Sequence, residues 1–179
     1  EQYAQWRAQH PRPQTWVSQP QAEKQNSMIS VVVVVNGARR DGINRTVTSI
    51  QQQPYSNWEV IIAGCEPQVG CDLAQDHQTS TGQSKVRLLD SDVSDACPLV
   101  RGAAAVSGEF VWFVRGGDLL AEDALQSVAE TLAMHQDADL LYCDEDQATG
   151  DGATIPFFKP SWSPALPAPG GSPGIPDSR

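Results

Sequence analysis

The stretch Ile29–Val35, ISVVVVV, limits the possible folds of this chain more than any other. It is apolar at nearly every position and dominated by β-branched valine, so a strand built from it must be buried on both faces. Central strands of parallel sheets read this way, whereas a strand with one wet face alternates polar and apolar residues. Parallel neighbours in turn need a crossover, usually a helix, between them. The residues that follow supply one. Asn36 to Gly42 carry turn chemistry, with Asp41 as the expected N-cap, and Ile43, Val47 and Ile50 then recur at helical spacing before Pro54.

The same alternation continues along the chain. WEVIIA (58–63) reads as a second strand and KVRLL (85–89) as a third, separated by a loose segment without clear pattern. LVRGAAAVSG (99–108) reads as a short helix closed by Gly108, and Phe110 to Val114 as a fourth strand. A helix is expected over 121–136, with Glu122 and Asp123 in its first turn, where the helix dipole favours anions. ADLLYC (138–143) reads as a fifth strand. Near the N-terminus, YAQWRAQ forms a short helix stopped by Pro11 and Pro13, followed by a polar, linker-like stretch over 14–27. Strands alternating with helices specify an α/β fold, a mostly parallel sheet with helices on both faces.

Composition removes several function classes. The 12 Lys and Arg against 22 Asp and Glu give a net charge of −10. That balance disfavours nucleic-acid and anionic-membrane binding, which need a basic surface, while leaving room for a local phosphate pocket. No apolar run approaches the roughly 18–20 residues of a membrane span, and the polar N-terminus shows no secretory signal. Four cysteines, Cys65, Cys71, Cys97 and Cys143, make no C-x-x-C pair. They read as free thiols of a reducing cytosol, with a Cys65–Cys71 bridge or metal contact as the alternative. His10, His77 and His135 sit in polar or helix-end contexts and read as surface residues. No G-x-G-x-x-G follows a strand, and no P-loop or G-x-S-x-G elbow occurs. The chain starts with Glu1 and ends in SPALPAPGGSPGIPDSR, too rich in Pro and Gly for a packed element. It reads as a piece of a longer protein.

One strand end carries concentrated chemistry. After Val114 come Arg115, Gly116, Gly117 and Asp118: a cation, two bare backbone positions and a carboxylate. In open α/β sheets, ligands sit at the C-terminal ends of the strands. A guanidinium there could grip a diphosphate in bidentate fashion while the glycines let backbone N–H groups approach it. The alternative is a loop with Arg115 in solvent. Downstream, CDED (143–146) clusters three acids, able to hold a cation or to remain a solvated turn. PFFKPSWSP (156–164) sets Phe157, Phe158 and Trp162 beside Lys159, as a sugar-stacking surface or as packing for a missing partner segment.

The segments ISVVVVVNG, SIQQQPYSNWEVIIAG, AAAVSGEFVWFVRGGDLLAEDALQSVAETL, DADLLYCDED and PFFKPSWSP together resemble a family-2 glycosyltransferase, in that family's order and spacing. The nearest likeness is to bacterial enzymes of O-antigen-like or rhamnose-rich polysaccharide synthesis, and YAQWRAQHPRP resembles the lead-in to such domains. The resemblance implies a GT-A fold, incomplete at the C-terminus, whose first half binds a nucleotide-diphosphate sugar with Mg or Mn as the helping metal. It implies a domain over 28–164, preceded by a helix and linker over 1–27 and followed by a disordered tail over 165–179. It places Asn36, Gly64, Glu66, Arg115, Gly116, Gly117 and Asp118 around the nucleotide-sugar pocket, and Asp144, Glu145 and Asp146 at the acceptor-side cleft. The implied location is cytoplasmic, at most peripheral at the inner face of the membrane, and the implied partners are the nucleotide sugar and further domains of the same full-length protein.

The departures from the family pattern are chemical. The Asp-x-Asp pair that normally holds the metal corresponds to Arg115 and Gly117 with Gly116 between, leaving Asp118 as the remaining acid. The acids that normally follow the second strand correspond to Gly64, Cys65, Glu66 and Pro67. The family's catalytic base lies beyond residue 164. Two function classes follow: a glycosyltransferase 2-like domain of cell-surface polysaccharide synthesis with impaired activity, or a non-catalytic pseudoenzyme module that binds or docks. The altered motifs of this chain favour the second.

Overall fold

The computed structural model describes residues 2–9, 27–66, 73, 85–89, 97–149 and 154–160. In chain order its elements are α1 (Gln2–Gln9), β1 (Ile29–Val34), α2 (Arg40–Gln51), β2 (Trp58–Ala63), β3 (Val86–Leu88), α3 (Pro98–Ala104), β4 (Phe110–Arg115), α4 (Ala124–Met134), β5 (Glu145–Ala148) and β6 (Thr154–Phe157). They fall into two compact units: Thr15–Asp139, and a smaller unit of Glu1–Gln14 with Leu140–Arg179.

The larger unit is built on one sheet of order β3-β2-β1-β4, parallel at every pairing. The valine run lies at its centre, as its composition requires. Val31, Val33 and Val35 join Ile43, Val47 and Ile50 of α2 and Leu125 and Ala129 of α4 in one buried cluster. Val32 points to the other face, where Gly102 of α3 lies so close that a Cβ there would stand 2.3 Å from Val32 Cγ1. Helices therefore cover both faces, and the expected α/β architecture is the one observed. On the α3 face, Val111 and Phe113 of β4 lie level with Ser30 and Val32. Both are more than a third exposed, because α3 packs on β1 and β2.

The sheet's N-terminal end is fastened by a buried carboxylate. Glu59, the second residue of β2, accepts Ser30 Oγ at 2.7 Å and the Ser107 N–H at 2.6 Å on one oxygen, and Arg87 at 2.9 Å on the other. Burial pushes this carboxyl up, but the bonds from Ser30 and Ser107 and the Arg87 charge outweigh it and hold the group below its ordinary range. Ser30 Oγ also accepts the Gly108 N–H at 2.8 Å, so three strands and the α3–β4 connection meet around one side chain.

Four local expectations are corrected. Asp41 is not the N-cap of α2: that position is Arg39, without a side-chain cap, and Asp41 lies in the first turn. Helix α3 ends at Ala104 rather than at Gly108, because Gly108 abuts β1, where a Cβ would meet Met28 O at 2.5 Å. Glu122 and Asp123 form the turn before α4 instead of its first helical turn. Residues 138–143 form no strand. The run has β-forming side chains but no partner edge among the described residues, and Leu140, Leu141 and Tyr142 are left substantially exposed.

In the smaller unit β5 and β6 pair antiparallel, Glu145 opposite Phe157 and Ala148 opposite Thr154. Tyr3 and Trp6 of α1 stack at 5.9 Å, and both meet Phe158 edge-on, at 6.5 and 5.7 Å. The 14–26 part of the expected linker, most of the 67–84 segment, the 165–179 tail, Cys71, His10, His77 and Trp162 lie outside the described residues. No helix among the described residues is long and apolar enough to cross a membrane.

Candidate functional site

Parallel register sets the geometry of the candidate site. Val34 lies level with Ala63 on one side and with Arg115 on the other. The residues following each strand therefore emerge on one edge: Asn36 after β1, Gly64 and Glu66 after β2, and Arg115 with Gly116, Gly117 and Asp118 at the end of β4. Two ladder bonds continue past the strand ends, Val35 N–H to Ala63 O at 2.8 Å and Gly116 N–H to Val34 O at 3.0 Å. Gly64 has φ +85°, and a Cβ there would stand 2.7 Å from Val35 O, so only glycine fits this bend.

The loop after β4 is held by the helix beneath it. Thr46 Oγ1 accepts the Gly117 N–H at 2.8 Å and donates to Gly42 O at 3.1 Å. Ser49 Oγ accepts the Leu120 N–H at 3.1 Å. Gln53 donates to Ala121 O at 2.7 Å and accepts the Leu125 N–H at 2.9 Å. These three residues descend one side of α2 and its C-terminal exit, and between them they fix the loop from Gly117 to the start of α4. They were not legible as site residues, since in the sequence they read as the wet side of an amphipathic helix. Their spacing, i, i+3 and i+7, beside the apolar stripe was the available signal.

That anchoring decides what the loop can offer a ligand. The N–H groups of Gly116, Gly117 and Asp118 donate to Val34 O, Thr46 Oγ1 and Arg115 O. They are spent, and a phosphate cradle made of these backbone donors is not available. Asp118 is engaged as well: its Oδ2 accepts the Arg115 N–H at 3.2 Å, closing the turn. The guanidinium of Arg115 is exposed and has no hydrogen bond or ion pair among the described residues. Arg39, exposed at the start of α2, extends the same edge, since its neighbour Ala38 lies 3.2 Å from where a Gly116 Cβ would be. The sequence signal for Arg39 and Arg40 was two adjacent cations in the turn after β1 of an acidic chain.

A resident Mg or Mn does not fit these residues. Such ions prefer six oxygen ligands, one or two of them protein carboxylates and the rest waters and substrate phosphates. Here Asp118 is already turned toward a backbone N–H beside a fixed positive charge, and the other acid of the edge, Glu66, follows a different strand. Among the described residues no three of His, Cys, Asp and Glu gather as a metal-holding group. What this edge can do is attract and grip an anion.

Beneath it, Cys65 is buried, and burial together with neighbouring Glu66 pushes its thiol up. Cys65, Cys97 and Cys143 are free thiols. Asp144, Glu145 and Asp146 belong to the smaller unit and are engaged separately. Asp144 accepts the Lys159 N–H at 2.8 Å, Glu145 pairs with Lys159 Nζ at 2.9 Å, and Asp146 accepts the Tyr3 hydroxyl at 2.6 Å.

No protein-family profile matches the chain. A search of characterised proteins finds it 32% identical over 145 residues to the O-antigen biosynthesis protein RfbC of Myxococcus xanthus, a match covering 78% of this chain and 11% of that protein. The chain thus spans about a tenth of that relative's length. Among solved structures, TarS 1–349 of S. aureus in complex with UDP is similar at TM-score 0.48 and 20% identity, over 61% of this chain and 33% of that one. The mannosyltransferase PcManGT of Pyrobaculum calidifontis, in complex with GDP-Man and Mn2+, is similar at TM-score 0.47 and 18% identity, over 76% and 40%. The sequence relative and the chain's own topology, rather than these structural scores, carry the reading that follows.

Proposed function

We propose, from the chain's similarity to an O-antigen biosynthesis protein and its resemblance to glycosyltransferases of family 2, that it forms the nucleotide side of a glycosyltransferase 2-like domain in cell-surface polysaccharide synthesis. Its ligand is a nucleotide-diphosphate sugar, bound across the ends of β1, β2 and β4. Asn36, Gly64 and Glu66 border the nucleoside, and Arg115 meets the diphosphate. Asp144, Glu145 and Asp146 are the acceptor-side residues of this reading. The observation that carries it is the exposed Arg115 guanidinium, without a partner among the described residues, at the end of a strand where the N–H groups of Gly116, Gly117 and Asp118 and the Asp118 carboxylate are already bonded.

The chemistry is consistent with that assignment. When a glycosidic bond to a nucleoside diphosphate breaks, negative charge accumulates on the leaving phosphate. A guanidinium placed there stabilises that charge and orients the diphosphate through its planar fork of donors. In an acidic chain the attraction is local, so it confers no general affinity for polyanions.

The test is calorimetric titration of the chain with UDP, GDP and dTDP, each with and without Mn2+. The expected result is one nucleotide binding at ~1 μM, or about −8 kcal/mol, with the metal making no difference. No binding at about 1 mM by a folded sample would overturn the reading and leave the non-catalytic docking module.

A further inference from the structure

The loop carrying Arg115 is shaped by hydrogen bonds to side chains of helix α2 as well as by its own Asp118. Gly117 stands at φ +113° with nothing within 4 Å of where a Cβ would project, so local packing does not select its conformation. What selects it is Thr46 Oγ1, on a residue fully buried at the middle of α2. Three residues later Ser49 Oγ takes the Leu120 N–H, while its own proton goes to Thr46 O at 2.7 Å. Each hydroxyl thus has a donor and an acceptor role filled, which fixes its orientation. Gly117 is two residues beyond Arg115, and Asp118 folds back onto the Arg115 N–H. A change at Thr46 therefore reaches the guanidinium through a short, fully bonded turn.

We propose that Thr46 and Ser49 are positioning residues for diphosphate binding: their hydroxyls hold the turn after β4 in its binding shape. This inference rests on the nucleotide-sugar reading above and adds to it. Neither hydroxyl touches the ligand; each acts through the loop's main chain. The site is prebuilt by the protein, so the affinity of Arg115 for a diphosphate depends on two residues that lie under the loop.

The experiment compares Thr46→Val, Thr46→Ser and Ser49→Ala with wild type by UDP calorimetry, thermal unfolding and amide hydrogen exchange. Thr46→Val keeps the shape and removes the hydroxyl, whereas Thr46→Ser keeps the hydroxyl and leaves a methyl-sized gap. The expected result is a crossing of the two readouts. Thr46→Val stays folded but binds UDP about tenfold more weakly, with faster exchange at the Gly117 amide. Thr46→Ser unfolds at lower temperature yet binds like wild type. Ser49→Ala, which alters the core less, weakens UDP binding several-fold and speeds exchange at Leu120. Affinity that simply follows stability across the three variants would overturn the inference, as would a folded Thr46→Val with wild-type affinity. Exchange requires no ligand, so the two failures are distinguishable. If wild type ignores every nucleotide while Thr46→Val still loosens Gly117, the nucleotide reading falls and the hydroxyls are structural only.

Discussion

The side-chain oxygen of Gln53 accepts the backbone N–H of Leu125 at 2.9 Å, across 72 residues of sequence. The same amide donates to Ala121 O at 2.7 Å, so one glutamine holds both sides of the turn that starts α4. Gln53 and Leu125 are buried, and water cannot replace either bond without opening the structure. Gln53→Leu preserves bulk but strands a donor and an acceptor. The expected loss is about 2–4 kcal/mol of unfolding free energy, measured by urea denaturation.

Arg115→Ala is expected to reduce UDP affinity by roughly 10–100-fold, the range of a lost charge-assisted bidentate contact. Arg115→Lys should fall between, since it keeps the charge and loses the fork. Neither should alter the urea midpoint, because the guanidinium makes no bond within the described residues. Equal affinity in wild type and Arg115→Ala would remove Arg115 from the site.

Two glycines at strand ends provide an internal control. Both have positive φ, +70° at Gly37 and +85° at Gly64, but a Cβ at Gly37 meets nothing within 4 Å. Gly37→Ala should cost about 1–2 kcal/mol, the price of the left-handed conformation alone. Gly64→Ala adds contacts of 2.7 Å to Val35 O and 2.9 Å to Pro98 Cγ. Its cost should exceed that of Gly37→Ala by about 1–3 kcal/mol, read from the same denaturation curves.

Acid should release the other end of the sheet through Glu59. Its carboxyl is held below the ordinary range in the folded chain, so the stabilisation is fully present above the unfolded value of about 4.3 and is lost as pH falls through the lower folded value. Glu59→Gln removes that dependence. The stability gap between wild type and Glu59→Gln should be constant near neutrality and shrink below pH of about 4.3. A gap that widens on acidification would contradict the sign of the shift. Arg87 is half-exposed, so most of the gap should come from the Ser30 and Ser107 bonds, with little from the ion pair.

Much of the sheet was legible because its strands are apolar runs of the right length. β1, β2 and β4 lie within one residue of the runs that specify them. The apolar stripe Ile43, Val47, Ile50 likewise marked the face of α2 that is buried. The anchoring face was harder to read. Thr46 is fully buried beside that stripe, yet a polar residue on a helix announces solvent unless its partner is known, and the partner is a backbone N–H 71 residues away. The failure at 138–143 has the same origin. Leu140 to Tyr142 have the side chains of a strand, but pairing requires a free edge, and the hairpin forms instead at Glu145–Ala148 with Thr154–Phe157. At the strand end the sequence located Arg115 and Asp118 together, while it could not say that the neighbouring N–H groups were already committed.

Because α2 grips the turn after β4 by its main-chain N–H groups at 117 and 120, it places no demand on the side chain displayed at 115. Position 117 insists on glycine by its positive φ, a Cβ at 116 would stand 3.2 Å from Ala38 and Ile43, and Asp118 lends its carboxylate to the Arg115 N–H, whereas any residue but proline at 120 brings the N–H that Ser49 accepts. A loop fastened in this manner can change its charge without changing its path. An acid, an arginine or an uncharged residue at 115 would leave the strand end at the same point in space. The shape of the turn and the chemistry it presents are therefore separately editable, which makes this edge a workable place to graft a different anion or cation preference onto an unchanged backbone.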